Sequence, residues 1–222
     1  MKKFITGTII TLFAVTLSTN SFATNTVAAI KAYGEKPISR FPVPSPEELP
    51  EDVKKIFTGA EKRLGFVPNI VAALAHRPNE LKAFGAYNHA FNSKESGISK
   101  AEKEMFLVAT SAANGCTYCV VSHGAALRKA TGNPFISDQI TANYREADIT
   151  PREKAIIDFA MKVSFDSKSI NEEDFAALHK HGLSDEDIWD VAGITALYNL
   201  SNRMMNVLKV RPDEEFYKMG RQ

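Results

Sequence analysis

Asn114-Gly115-Cys116-Thr117-Tyr118-Cys119-Val120-Val121-Ser122-His123 contains the only two cysteines of the 222-residue chain, three apart, with a histidine four beyond the second. On a helix starting near Cys116, turns of about 100° per residue place Cys116, Cys119 and His123 within roughly 60° of one another on one face. Asn114-Gly115 is a helix-breaking pair, so Cys116 is expected at or near a helix N-terminus. There the free N–H groups and the macrodipole stabilise a thiolate. An imidazole one turn beyond Cys119 is positioned to take a thiol proton. Cysteines at this spacing read as a redox centre. Their usual context is a βαβ pattern, and no alternating strand pattern of any length is visible here. The chain therefore reads as all-α, and a thioredoxin fold is disfavoured.

Three plainer readings compete. A structural disulfide closing a four-residue loop is worth only about 2 kcal/mol in the chain-entropy model. A zinc site would have two cysteines and one histidine and would need a fourth group or a water. Two inert core cysteines would resist alkylation.

Upstream, Ser99-Lys100-Ala101-Glu102 is a capping box that opens a helix through Met105, Phe106, Val108, Ala109 and Ala112. Glu104 shares a face with Leu107, Val108 and Ser111, not with a charged stripe. A carboxylate turned inward needs a partner, and a histidine on the adjoining helix would be a natural one. The opening recurs: Ile149-Thr150-Pro151-Arg152-Glu153-Lys154-Ala155-Ile156 echoes Ile98 to Met105, keeping the cap, the box glutamate and the lysine. Two related helical halves follow from this. The second half has Ala155 in place of Glu104, and no cysteine. The carboxylate thus belongs to the half that carries the thiols.

Away from this centre, Lys2-Lys3, an apolar run from Ile9 to Leu17, and Ser21-Phe22-Ala23 form a signal-peptide pattern with the cut expected after Ala23. Residues 1–23 are read as a signal peptide and the product as periplasmic or secreted. Residues 24–46, with Pro37, Pro42, Pro44 and Pro46, read as an extended N-terminal arm, and residues 47–222 as one all-helical domain. The net charge of +1 gives no case for a nucleic-acid or anionic-membrane partner. Asn171-Glu172-Glu173-Asp174 and Ser184-Asp185-Glu186-Asp187 cap two further helices. The last of these is apolar nearly all round, as in a buried or subunit-contact helix. Its Asn199, Asn202 and Arg203 could satisfy buried polar groups near Glu104, but read more simply as facing water. His76 and His89 read as surface or packing residues, and His179 and His181 as complements to a helix dipole. Gly132-Asn133-Pro134 ends the cysteine helix, and the residues that follow, to Asp148, read as a polar stretch.

Glu104, eleven intervening residues, Cys116-Thr117-Tyr118-Cys119, three residues and His123 resemble the active-site signature of the alkylhydroperoxidase D-like branch of the carboxymuconolactone decarboxylase superfamily. Gly65-Phe66-Val67-Pro68-Asn69, Ser111 to Gly115, and Asp187 to Arg203 are similar to its peroxidase-related subgroup. The resemblance covers about residues 45–217. It implies an all-helical fold with an internal repeat, assembled as trimers or hexamers. It also implies a thiol peroxidase without heme, metal or other cofactor. By resemblance, Cys119 meets the hydroperoxide, Cys116 resolves it, Glu104 and His123 form the proton relay, and an external dithiol is the reductant. The helix N-terminus on its own would favour Cys116 as the more acidic thiol; the family order is adopted because His123 is one turn from Cys119. Where studied members carry a histidine between the cysteines, this chain has Tyr118. Those members are largely cytoplasmic, so an exported copy needs another electron donor, or acts instead as a disulfide oxidoreductase on protein thiols. The lactone decarboxylase branch does not use a cysteine pair.

Overall fold

Five polar residues fix where five segments turn helical. Ser45, Ser99, Thr150, Asn171 and Ser184 each form a capping box with an acidic residue three positions on. The computed structural model describes residues 36–93 and 95–221. The described residues from Ile38 onward form one compact unit. The expected signal peptide and most of the expected arm lie outside the described residues.

Among those described, ten α-helices and no strands occur: α1 (Glu51–Leu64), α2 (Asn69–Leu74), α3 (Pro78–Asn92), α4 (Lys100–Ala113), α5 (Thr117–Thr131), α6 (Ile136–Asn143), α7 (Pro151–Asp166), α8 (Glu172–His179), α9 (Asp185–Leu208) and α10 (Glu214–Lys218). None is long and apolar enough to cross a membrane.

Helix α4 is the hub. It packs most heavily on α5, then on α7, α9 and α6, and buries every residue from Met105 to Ser111. Phe106, Val108, Leu127, Ile157 and Val191 are fully enclosed in its core. The echoed openings of α4 and α7 lie against each other. Arg152 of the second copy donates from Nε to Oε1 of Glu102 in the first at 2.6 Å, and its Nη1 and Nη2 reach the carbonyls of His181 and Gly97.

One segment departs from the sequence reading, and one carries a helix that the reading did not single out. Residues 136–143 are helical, because Ile136 and Ile140, one turn apart, are both buried in the core on an otherwise polar segment. The C-terminal segment carries α10, which packs on the cysteine helix α5. There the buried Arg128 donates to the carbonyls of Met219 and Phe216 and to Ser137 Oγ.

Candidate active site

Asn114, Gly115 and Cys116 turn the chain between α4 and α5, with Gly115 at φ +62°, a left-handed conformation that glycine adopts without strain. Cys116 is the N-cap of α5, and the Cys119 backbone N–H donates to its Sγ at 3.3 Å. The two cysteines are joined as a disulfide, with Cα atoms 5.4 Å apart. They differ in access. Cys116 is fully buried, whereas Cys119, 2% exposed, lines a cavity of about 860 Å³ together with His123, Ser122, Tyr198 and Phe216.

Glu104 and His123 come together across the α4–α5 contact, with Oε2 2.8 Å from Nδ1 and both side chains mostly buried. A carboxylate only accepts, so it takes Nδ1–H and leaves the Nε2 lone pair for another partner. The imidazole is held from the side by the Tyr198 ring, edge-on at 4.7 Å and 81°. The Tyr198 hydroxyl donates to Asn88 Oδ1 at 3.1 Å. Burial and then the Glu104 charge push the Tyr198 phenol well above its ordinary range, so it stays neutral.

The turn before the cysteines is held by α9. Asn114 Nδ2 donates to Asn199 Oδ1 at 2.7 Å and to Asn202 Oδ1 at 3.0 Å. Asn202 Nδ2 reaches Ser111 Oγ, and Asn206 Nδ2 reaches the Asn114 carbonyl. This corrects the solvent reading of Asn199 and Asn202: Asn202 is fully buried and Asn199 half-buried, and only Arg203 is exposed. They brace the turn before the cysteines through Asn114, a short amide–amide lattice invisible to hydrophobic periodicity. The spacing of Asn199, Asn202 and Asn206, one face of one helix, was the available signal.

Tyr118 has a role the sequence did not expose. Its hydroxyl accepts from Ile70 N at 3.3 Å and donates to Asp213 Oδ2 at 3.2 Å. Asp213 Oδ1 also accepts from Asn69 N. One tyrosine between the cysteines thus ties α5 to α2 and to the segment leading into α10. Burial pushes the Asp213 carboxyl up to about 6 and the Tyr118 phenol well above its ordinary value. His89 lines the cavity from α3, and His76 is exposed near the Phe41 ring. His179 bonds Asp185. Among the described residues no cluster of three or more His, Cys, Asp or Glu is arranged to hold a metal ion.

The arrangement defines a class: an all-helical protein with a recessed cysteine pair and a Glu–His pair beside it. The profile of the Carboxymuconolactone decarboxylase family matches residues 78–134. A peroxidase-related protein from Ralstonia eutropha JMP134, described as an alkylhydroperoxidase AhpD core, is 51% identical, with TM-score 0.83 over 84% of this chain and 98% of its own. A peroxidase-related protein from Silicibacter sp. TM1040 is 36% identical, with TM-score 0.79 over 84% of this chain and 97% of its own. The debrominase Bmp8, at 21% identity and TM-score 0.66 over 84% of this chain and 97% of its own, shares the fold. A search of curated protein sequences returned no match. The chain belongs to the alkylhydroperoxidase D-like branch of the carboxymuconolactone decarboxylase superfamily.

Proposed function

We propose that this protein is a thiol peroxidase that reduces hydroperoxides through the Cys116–Cys119 pair. The observation that carries the reading is the 2.8 Å contact of Glu104 with His123, one helical turn from a cysteine that lines a cavity. In the reduced enzyme the Cys119 thiol gives its proton to His123 Nε2, and Glu104 stabilises the imidazolium. The thiolate attacks one peroxide oxygen; the O–O bond breaks, an S–O bond forms, and the leaving alkoxide takes the proton from His123. The products are an alcohol, or water from hydrogen peroxide, and a Cys119 sulfenic acid. Cys116 then displaces water from it to close the disulfide, and an external dithiol returns two electrons and two protons. The Cys119 N–H directed at Cys116 Sγ supports the second thiolate when that disulfide is opened.

The order of the cysteines is supported by access, since Cys119 lines the cavity and Cys116 is fully enclosed. The same burial weighs against the alternative, an exported disulfide oxidoreductase acting on protein thiols, because neither sulfur stands at the surface. The proposal extends to assembly as a homo-oligomer and, on residues 1–23 alone, to export to the periplasm or beyond.

Stopped-flow oxidation of the reduced protein by hydrogen peroxide and by an organic hydroperoxide tests this, beside Cys119→Ser and Cys116→Ser. Oxidation should vanish in the first variant and stop at a sulfenic acid in the second. Faster reaction with a reduced protein than with any hydroperoxide would instead select the oxidoreductase.

A further inference from the structure

The cavity above Cys119 is far larger than hydrogen peroxide requires. A water occupies about 30 Å³ of liquid, and the cavity is about 860 Å³, within the range that encloses a drug-sized molecule. Most of its lining surface is apolar, with Ile70, Val71, Leu74, Leu81, Phe84 and Phe216 contributing. Its charges are of one sign. Lys55, Arg63 and Lys82 line it and no carboxylate does.

Lys82 is already committed, donating to Asp52 at 2.6 Å across the α1–α3 gap. Lys55 and Arg63 are exposed. They stand eight apart on α1 with Gly59 midway, so all three fall on one face of that helix. The Arg63 guanidinium folds back over the notch at Gly59, with Nη1 3.5 Å from the place a Cβ would take there. A guanidinium and an ammonium on one helix face, above an apolar chamber with a cysteine and a histidine in its wall, match one kind of ligand. It has a carboxylate at one end and a bulky apolar body along the chamber.

We propose that the substrate is an amphipathic carboxylate hydroperoxide, such as a fatty-acid hydroperoxide, with Lys55 and Arg63 gripping the carboxylate while the apolar body fills the cavity and presents the O–O bond to Cys119. The inference rests on the thiol-peroxidase reading for its chemistry but not for its binding. Reduction follows the balance already given, leaving the hydroxy acid and the Cys119 sulfenic acid.

The experiment has two arms. In the first, the oxidised, disulfide form of the full protein is titrated with linoleate and with methyl linoleate, neither of which is a peroxide. The acid should bind about tenfold more tightly, and raised salt should erode that margin, as expected for exposed cations. In the second, kcat/KM is compared for linoleate hydroperoxide and its methyl ester. The acid-over-ester ratio should be about tenfold in the wild type and fall toward one in Lys55→Gln/Arg63→Gln. Both side chains are on the surface, and circular dichroism verifies that the variant is folded. Equal binding of acid and ester, or a ratio that the double variant leaves intact, overturns the proposal. If the wild type reduces no hydroperoxide, the peroxidase reading fails, while the first arm still decides whether the cationic grip exists.

Discussion

Glu104 and Asp213 are both carboxylates turned away from bulk water, and their surroundings set them to different tasks. Glu104 meets an imidazole at 2.8 Å, so its charge is useful when that ring accepts a proton. Glu104→Gln preserves shape and packing but weakens the imidazolium. Oxidation of the reduced protein by hydroperoxide should slow by roughly 10- to 100-fold, with the thermal midpoint nearly unchanged; unaltered kinetics would remove Glu104 from the relay. Asp213 accepts from Asn69 N and Tyr118, and burial raises its carboxyl from 3.8 to about 6. The sign follows from linkage. Below 3.8 both the folded and unfolded chains carry the proton. As pH rises toward about 6 the unfolded chain gives it up first, so stability falls across that window and levels off above it. Asp213→Asn has no such group. The difference in urea midpoint between variant and wild type should therefore shift in the variant's favour from pH 4 to pH 7, and parallel profiles would show that Asp213 is not the group responsible. Legibility differed in the same way. Cys116, Cys119 and His123 declare themselves by spacing within one helix, and Glu104 by an apolar face that it interrupts. Asp213 lies 95 positions from Tyr118, and no local pattern can signal that contact.

Among the elements, capping chemistry was the part of the fold most open to reading. Thr150 and Ser99 both satisfy their helix ends through a glutamate three residues on, and that local logic needs no tertiary information. What the echo did not disclose is that the two openings bind each other. Glu102 serves twice, closing its own box through Ser99 N at 2.7 Å and receiving Arg152 at 2.6 Å. Burial pushes its carboxyl up, but the Arg152 and Ser99 hydrogen bonds outweigh that and leave it below the ordinary value. Arg152→Met keeps the length of the stem and removes the charge and three hydrogen bonds, leaving Glu102 and two carbonyls without their donor. The loss should be about 2–3 kcal/mol by denaturant unfolding, with no direct effect on the thiols; a change under about 0.5 kcal/mol would place the pair among ordinary surface bridges. The elements that escaped reading are α6 and α10. Each is short and mostly polar, and each is stabilised by contacts from elsewhere: Ile136 and Ile140 by the core, and the α10 region by the Arg128 guanidinium.

At the scale of the whole molecule, α9 presents a surface that one chain leaves uncovered. Trp189, Leu200 and Val207 are 71%, 55% and 62% exposed, and at about 100° per residue they fall within roughly 20° of one line along the helix. The stripe runs about 27 Å at 1.5 Å per residue. Beside it, Leu200 and Met204 join Ala83, Phe84 and Tyr87 of α3 in a second, apolar cavity of about 380 Å³. Large apolar side chains exposed in line along one helix, with the exposed Arg203 at their edge, are a feature of interfaces rather than of solvated faces, and this is the surface on which the proposed homo-oligomer would close. The same helix α3 supplies Phe84, Asn88 and His89 to the chamber above Cys119, so packing a neighbour against α3 would also steady one wall of the active site. Leu200→Glu puts a charge on the stripe at an already exposed position, so it should not disturb the fold of a single chain. Light scattering at micromolar concentration should find the wild type as an oligomer and the variant shifted toward monomer, with Trp189 emission moved to the red. Reduction of a bulky hydroperoxide should fall with it. A wild type already monomeric, or a variant of unchanged mass, would assign the stripe to some other contact and leave the single chain as the working unit.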